Sequence, residues 1–177
     1  KRIEIGIVIR QDILENQVKS IYLGIGSNLG SKKANIEKAK FELLKNNIKI
    51  IKCSNYYETL SWPNPKFPKF LNIVLKVSTF LKPSDLLKKC KEIEVTLGRK
   101  KTIKNSPRIC DIDILDYNKT LINNKIILPH PRMHSRNFVI LPLFEIDKNW
   151  IHPGSGQHIK RLVLSLSNRD IRSIKLI

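Results

Sequence analysis

Two aspartates separated by one residue, Asp111 and Asp113, lie in an otherwise apolar, β-branched run. In a β-strand, residues i and i+2 point to the same face, so the two carboxylates are expected side by side. Like charges at that spacing repel each other unless a cation lies between them. Mg²⁺ binds a few carboxylates while keeping waters and phosphate oxygens, so the pair predicts a metal–nucleotide site. A strand with an acidic outer face is the alternative, and the pair alone fits both.

Cationic side chains precede this pair in the sequence. Arg108 can bind a phosphate through two parallel hydrogen bonds. Residues 99–104 form a basic loop that leads into the acidic strand, and its cations are Arg99, Lys100, Lys101 and Lys104. A lysine-rich loop is typical of solvated surface, so on its own it indicates no chemistry.

Two further segments have residues suited to ligand binding. Residues 129–138 place histidines and arginines at a junction between a loop and a helix, where anions bind. Residues 59–68 contain three prolines together with Trp62 and Phe67, which indicates a stiff aromatic loop. This loop could form a wall of a pocket for a planar ligand, or it could fold over the core.

The composition limits the classes of protein to consider. The formal net charge is +18, which would attract nucleic acid, an anionic membrane or a polyphosphate. The lysines are scattered, with no arginine-rich arm and no zinc-finger spacing, so a dedicated nucleic-acid role is disfavoured. No G-K-S/T phosphate loop, apolar run long enough for a membrane span or secretory signal is found. Three widely spaced cysteines indicate buried free thiols, and hence a cytoplasmic protein.

The elements that position these residues follow from hydrophobic periodicity. Strands are predicted at residues 21–25, 48–58, 70–80 and 111–115, and amphipathic helices at 31–47 and 83–97. A hairpin is predicted at 121–128, a short helix up to Phe144, and a final helix at 158–166. Residues 20–177 are predicted to form one domain, preceded by a strand-like run at 3–9 and a polar connector.

Four stretches together resemble one family. They are Gly26-Ser27-Asn28-Leu29-Gly30, Phe70-Leu71-Asn72, Pro107-Arg108-Ile109-Cys110-Asp111-Ile112-Asp113, and Pro129-His130 with Arg136-Asn137-Phe138. In this order they are similar to 6-hydroxymethyl-7,8-dihydropterin pyrophosphokinase of folate biosynthesis, over residues 20 to about 165. Ser106 and Asn105 depart from the glycine and tryptophan usual in the family.

The resemblance implies a fold and a reaction. The fold is an α+β, ferredoxin-like sandwich, a central antiparallel sheet covered by helices. In the reaction, the pterin hydroxymethyl oxygen attacks the β-phosphorus of ATP, pyrophosphate is transferred whole, and AMP leaves. The competing hypothesis is a basic ferredoxin-like nucleic-acid-binding domain, which would give the two aspartates no role.

The resemblance also implies roles for particular residues. Two Mg²⁺ ions would be held by Asp111 and Asp113. The residues expected to be catalytic are Arg99, Lys101, Arg108, Asp111 and Asp113. Those expected to bind ATP are Glu94, Arg99, Lys101, Arg108, Ile114, His130 and Arg136. Those expected around the pterin are Thr59, Leu60, Trp62, Phe70, Asn72 and Phe138. The basic loop is expected to close over the triphosphate.

Residues 1–19 lie outside the usual beginning of the family. The run at 3–9 resembles the closing strand of dihydroneopterin aldolase, the preceding enzyme of the pathway. These residues are therefore expected to be the tail of a preceding aldolase-like domain or an N-terminal extension or linker. A dihydropteroate synthase could follow the last residue in the same way.

Overall fold

The computed structural model describes residues 20–61, 64–100, 103 and 105–177. The predicted strand at 3–9, the proposed N-terminal extension, Trp62 and Lys101 lie outside these residues. The elements that form the main sheet and its first two helices are β1 Ile21–Ser27, α1 Lys32–Lys45, β2 Lys49–Cys53, β3 Tyr57–Thr59, β4 Phe70–Ser78, α2 Pro83–Thr96 and β5 Asp111–Tyr117. They are followed by β6 Ile122–Asn123, β7 Ile127–Leu128, a 3₁₀ turn Met133–Ser135, α3 Asn137–Ile146, α4 Ile159–Leu164, α5 Asn168–Arg172 and β8 Ile174–Leu176.

The main sheet is antiparallel in every pairing of its strands. The strand order is β5-β1-β4-β3-β8, and β2 pairs with β4 on the same side as β3. The central strands β1 and β4 are therefore hydrogen-bonded on both sides, and β5 is placed beside β1. The hairpin β6–β7 forms a separate pair, as predicted.

Both faces of the sheet are covered by helices. Alternate residues of β4 point to opposite faces, as its sequence predicts: Ile73 and Leu75 pack with α1 and α2, whereas Val74 packs with α3 and α4. Complete burial of one such side chain stabilises the fold by about 1.5–3 kcal/mol. The predicted mixed α/β fold with an antiparallel sheet and covering helices is confirmed, and the third layer comes from the second half of the chain.

The edge of the sheet next to β4 differs from the prediction. The single strand predicted at 48–58 is two strands, because the Ser54 side chain takes over part of the backbone pairing. Ser54 N donates to Val74 O at 3.0 Å, and Val74 N donates to Ser54 Oγ at 3.0 Å. The C-terminal region also differs, since the predicted helix at 158–166 is the shorter α4, and α5 and β8 were not predicted.

The cysteines confirm the prediction only in part. Cys90 and Cys110 are buried free thiols, whereas Cys53 is an exposed free thiol at the end of the edge strand β2. The prediction of three buried thiols was wrong for Cys53 because it took apolar sequence neighbours as evidence of burial. Among the described residues, no helix combines the length and the hydropathy needed to cross a bilayer.

Candidate active site

The floor of the candidate site is formed where β1, β4 and β5 lie side by side. Gly26 of β1 pairs with Asn72 of β4 on one side and with Asp111 of β5 on the other. A Cβ atom on Gly26 would lie 3.0 Å from Asn72 Oδ1 and 3.3 Å from the Phe70 ring. A glycine at this position therefore leaves room for both side chains at the mouth of a pocket.

The pocket brings together most of the described residues that the sequence predicted to be functional. Its walls include Thr59, Leu60, Phe70, Asn72, Arg108, Asp111, Asp113, His130, Arg136 and Phe138. Three other predicted residues do not line it: Glu94, Arg99 and Ile114. Ile114 is buried in the core on the side of α1 and α2.

Arginines neutralise the two aspartates of β5. Arg99 Nη1 donates a hydrogen bond to Asp111 Oδ1 at 2.6 Å, and Arg108 Nε lies 3.3 Å from Asp111 Oδ2. On the neighbouring carboxylate, Arg136 Nη1 donates to Asp113 Oδ2 at 3.4 Å. Burial alone would raise the pKa of Asp111, but the surrounding cations, Arg108 first among them, lower it below its ordinary value. Asp111 is therefore an anion at neutral pH.

His130 faces Asp113 in a defined tautomer. The backbone N–H of Arg132 donates to His130 Nδ1 at 3.1 Å, so Nδ1 is an acceptor and the proton of the neutral ring lies on Nε2. His130 Nε2 is 3.8 Å from Asp113 Oδ2. Burial lowers the pKa of His130, and Asp113 opposes this effect without cancelling it. His130 therefore presents a neutral N–H donor to the pocket.

Glu94 is a buried carboxylate behind the pocket, with a side chain only 2% exposed. It accepts hydrogen bonds from Lys91 Nζ at 2.7 Å, from the backbone N of Ile112 at 2.7 Å and from Arg99. It therefore joins the end of α2 to the strand that carries the two aspartates. The sequence placed Glu94 at the site without revealing these partners, because Ile112 is 18 residues away.

Two aromatic rings of the pocket each have a guanidinium group stacked on them. Arg108 Cζ is 5.5 Å from the centroid of the Phe70 ring, and Arg136 Cζ is 5.4 Å from the centroid of the Phe138 ring. The buried Nε of Arg108 has no hydrogen-bond partner among the described residues. It faces Asp111 as an ion pair without a hydrogen bond, so an anion that enters the pocket can satisfy it.

Asn72 and Thr59 form the polar edge of the pocket. Asn72 Nδ2 donates to Thr59 Oγ1 at 3.0 Å and more weakly to Tyr57 O at 3.4 Å. The exposed side chain of Leu60 follows Thr59 in the chain. A flat ring between Phe70 and Phe138 would therefore have an amide beside it.

Sequence reasoning gave Asn28 no role of its own, although it lies in one of the four stretches that carry the resemblance. The side chain is buried and joins three segments: its Oδ1 accepts from Arg108 N at 2.7 Å, and its Nδ2 donates to Pro68 O at 3.1 Å and Ser61 Oγ at 3.4 Å. Asn28 therefore holds Arg108 and the proline-rich loop together. The available signal was an asparagine within a glycine-flanked turn directly after a buried strand.

The carboxylates suit one kind of metal better than others. Within the described part of the chain, no group of three or more His, Cys, Asp and Glu side chains is placed to hold a metal ion. The pocket instead offers two carboxylates among anion-binding donors. This donor set fits Mg²⁺, which prefers oxygen ligands and completes its coordination with water and phosphate oxygens.

Comparison with known proteins shows which family the chain resembles. A profile of the 7,8-dihydro-6-hydroxymethylpterin-pyrophosphokinase (HPPK) family matches residues 22–148. The 2-amino-4-hydroxy-6-hydroxymethyldihydropteridine pyrophosphokinase of Aquifex aeolicus is 44% identical over 135 residues, which are 76% of this chain and 84% of that protein. The folic acid synthesis protein FOL1 of Dictyostelium discoideum is 43% identical over 149 residues, 84% of this chain but 22% of that protein.

Solved structures share the fold. The wild-type HPPK-DHPS of Plasmodium falciparum superposes with a TM-score of 0.66 at 16% identity, covering 82% of this chain and 44% of that chain. An HPPK-DHPS solved in complex with substrates gives a TM-score of 0.66 at 17% identity, over 84% of this chain and 43% of that chain. This chain therefore spans less than half of the solved proteins it resembles.

An α+β domain whose pocket gathers two carboxylates, several guanidinium groups and two aromatic rings has the features of a phosphoryl-transfer enzyme. The chain belongs to the 7,8-dihydro-6-hydroxymethylpterin-pyrophosphokinase family. It is a pyrophosphokinase of folate biosynthesis, as the sequence predicted. The alternative of a nucleic-acid-binding domain has no support.

Proposed function

We propose that ATP and 6-hydroxymethyl-7,8-dihydropterin bind side by side in the pocket over β1, β4 and β5, and that pyrophosphate is transferred between them there. The observation that carries this proposal is that the Asp111 and Asp113 carboxylates and the Phe70 and Phe138 rings line one pocket. Transfer of this kind needs little covalent chemistry from the protein and much positioning and charge neutralisation. The pocket has groups for both tasks.

Asp111 and Asp113 would hold Mg²⁺, and the resemblance implies two such ions. Bound there, the metal supplies positive charge to the phosphate oxygens and to the attacking hydroxyl. Its charge would also replace that of the arginines on the two carboxylates. Arg99, Arg108 and Arg136 would then be free to turn towards the phosphates.

The triphosphate would be bound by charged and neutral donors together. Arg108 has an Nε–H that is paired with Asp111 without a hydrogen bond, and His130 offers its Nε2–H without adding a charge. Arg99 and Lys101, from the basic loop, would cover the phosphates and exclude water. We propose that Glu94 supports ATP binding indirectly, by fixing Arg99, and that Ile114 contributes through its backbone.

The pterin would lie between Phe70 and Phe138. Asn72 would form hydrogen bonds with the polar edge of the ring. Thr59, Leu60 and Trp62 would surround the rest of the pterin. In the free protein the guanidinium groups of Arg108 and Arg136 cover these two rings. Movement of both arginines onto the phosphates would therefore expose the aromatic faces on which the pterin stacks.

We further propose that residues 20–177 form one pyrophosphokinase domain with a ferredoxin-like core. The order β1-α1-β2/β3-β4-α2-β5 and the strand sequence β5-β1-β4-β3 support this topology. A cytoplasmic location is consistent with free thiols. Fusion to another folate enzyme, as in HPPK-DHPS, is our hypothesis for residues 1–19 and for the C-terminal end of the chain.

The test is Mg²⁺-dependent formation of AMP from ATP in the presence of the pterin. The variants Asp111→Asn and Asp113→Asn should each lose at least about a hundredfold in kcat, because removal of one preorganised electrostatic group from an active site costs about that much. Their thermal unfolding should be close to that of the original chain. Asp85→Asn, at an exposed acid in the first turn of α2, is the matched control and should keep full activity. Near-normal turnover of either β5 variant would refute the metal assignment.

A further inference from the structure

The C-terminal segment, residues 167–177, lies beyond the part of the chain that the family profile matches, and it lines a cavity next to the pocket. The strand β8 in this segment pairs with β3, so that Ile174 lies opposite Thr59. The backbone N of Ile177 also donates to Tyr56 O at 2.9 Å. The segment therefore supports the strand that brings Thr59 and Leu60 to the pocket.

The same segment is hydrogen-bonded to α3 through Asn137, the first residue of that helix. Asn137 Nδ2 donates to Asp170 O at 2.7 Å and to Ser173 Oγ at 3.1 Å. Its Oδ1 accepts from the backbone N of Phe138 at 2.7 Å. One amide thus joins the C-terminal segment to the residue whose ring lines the pocket.

Packing alone does not fix the separation of these two walls. The cavity next to the pocket is lined by Thr59 and Leu60, by Phe138 and by Ser173 of the C-terminal segment. Atoms separated by such a space gain little from dispersion, so hydrogen bonds around it contribute to the distance. One of them joins β3 to α3 directly, from Tyr57 Oη to Glu145 Oε2 at 2.8 Å. The bonds of Asn137 are also next to this cavity.

We propose that Asn137 is a positioning residue that, through the C-terminal segment, sets the gap between Thr59–Leu60 and the Phe138 ring. This inference rests on the proposed placement of the pterin in that gap. Asn137 itself does not line the pocket over β1, β4 and β5, and it touches no reacting group. Its effect should therefore appear in pterin affinity and in the KM for the pterin rather than in kcat.

Two substitutions separate this role from local capping of α3. Asn137→Asp keeps an acceptor for Phe138 N and is favourable at a helix N-terminus, but it has no N–H for Asp170 O or Ser173 Oγ. Asn137→Ala removes all three bonds. Both variants should weaken pterin binding about tenfold, the effect of losing two ordinary hydrogen bonds. Their MgATP affinity should change less than about threefold, within what a lost neutral bond can cause.

The measurements are equilibrium titrations of each variant with the pterin and with MgATP, together with thermal unfolding. Arg172→Ala, at an exposed position of the same segment, is the control and should bind both ligands normally. If Asn137→Asp binds pterin like the original chain while Asn137→Ala does not, Asn137 is only a helix cap and the inference is wrong. Equal losses for both ligands would also overturn it, since they indicate general destabilisation or, in the aspartate variant, repulsion between the new carboxylate and the triphosphate.

A third variant distinguishes failure of the inference from failure of the proposed function. Phe138→Ala should weaken pterin binding whether or not Asn137 acts through the C-terminal segment. If Phe138→Ala leaves pterin affinity unchanged, the pterin does not lie on this ring and both proposals fail. If Phe138→Ala weakens binding and Asn137→Asp does not, only the inference fails.

Discussion

At the scale of single residues, charge compensation is the main feature of the pocket. Asp111 and Asp113 would repel each other, yet Arg99 bonds to the first carboxylate and Arg136 to the second. In the free protein, arginines thus neutralise the two carboxylates that a bound metal ion would neutralise in the complex. An incoming polyphosphate brings its own negative charge, so the arginines can change partners without leaving a buried charge unpaired.

Gly26 offers a test of the floor of the pocket. A methyl group there would come within 3.0 Å of Asn72 Oδ1 and 3.3 Å of the Phe70 ring, so Gly26→Ala must displace both side chains. We expect pterin affinity to fall by roughly 1–3 kcal/mol, the cost of leaving a buried polar group badly paired. Titration with the pterin measures this directly.

Gly24→Ala is the matched control for this substitution. It lies on the same face of the same strand and also lines the pocket, but the atoms nearest to its new methyl group would be those of the Leu115 side chain, at an ordinary 3.4 Å. Its pterin affinity should be close to that of the original chain. Equal losses in the two variants would mean that any side chain on β1 disturbs the sheet, and that the pterin is not held beside Asn72.

The limits of sequence reasoning are clearest for single polar residues. The pattern around Asp111 and Asp113 predicted their common face because strand geometry is local. The bonds of Asn28 and Asn137 were not predictable in this way. Asn28 meets Arg108 across 80 residues and Asn137 meets Ser173 across 36, so only the folded chain brings the partners together.

At the scale of elements, regular periodicity was a good guide and short segments were not. Helix α1 was predicted at 31–47 and lies at Lys32–Lys45, because its buried positions Ile36, Ala39 and Leu43 follow the helical repeat. By contrast, α5 and β8 span only five and three residues. Elements this short are stabilised by tertiary contacts, here with β3 and Asn137, which sequence periodicity does not reveal.

The basic loop is the element whose predicted movement matters most for turnover. Arg99, the first residue of this loop, is held in place in the free protein by hydrogen bonds to Glu94 and Asp111. Lys101 lies outside the described residues. Closure over MgATP would therefore require Arg99 to exchange carboxylates for phosphate oxygens, which links the loop to occupancy of the metal site.

We predict that Arg99→Ala combined with Lys101→Ala slows pyrophosphoryl transfer strongly while changing MgATP dissociation modestly. Contacts that form only on closure act on kcat more than on ground-state affinity. Single-turnover rates and equilibrium titration of the same variant measure the two effects. Lys88→Ala combined with Lys89→Ala, at an equal number of cations on α2, controls for the loss of net charge. Collapse of nucleotide affinity with an unchanged chemical step would show that the loop is a static binding element.

At the scale of the whole molecule, the sheet is enclosed between two hydrophobic cores. One lies under α1 and α2 and the other under α3 and α4, and both include residues of β1, β4 and β5. The strands that carry the site are therefore held from both faces. Opening of the site region should then require loss of a large part of the fold, whereas the edge formed by β2 can open more readily.

The labelling rates of the three thiols would measure how readily each part of the structure opens. Cys90 and Cys110 are fully buried, and burial raises the pKa of each thiol to about 12. Cys53 lies at the exposed edge, where burial of part of its side chain raises the pKa to a smaller extent. Because the thiolate is the reactive form, a disulfide reagent at pH 8 should label Cys53 quickly and the other two only through opening of the structure.

A bound ligand should increase the difference in labelling rate between Cys53 and the two buried thiols. MgATP at about 100 times its dissociation constant stabilises the folded state by about 2.7 kcal/mol, which would slow labelling of Cys90 and Cys110 about a hundredfold where it follows global opening. The rate at Cys53 should not change, and Cys53→Ser should remove the fast phase alone. Cys110 directly precedes Asp111, so it also tests the site strand. Labelling of Cys110 as fast as that of Cys53 would mean that β5 opens by itself, and that the aspartate pair is held by ligands rather than by the two cores.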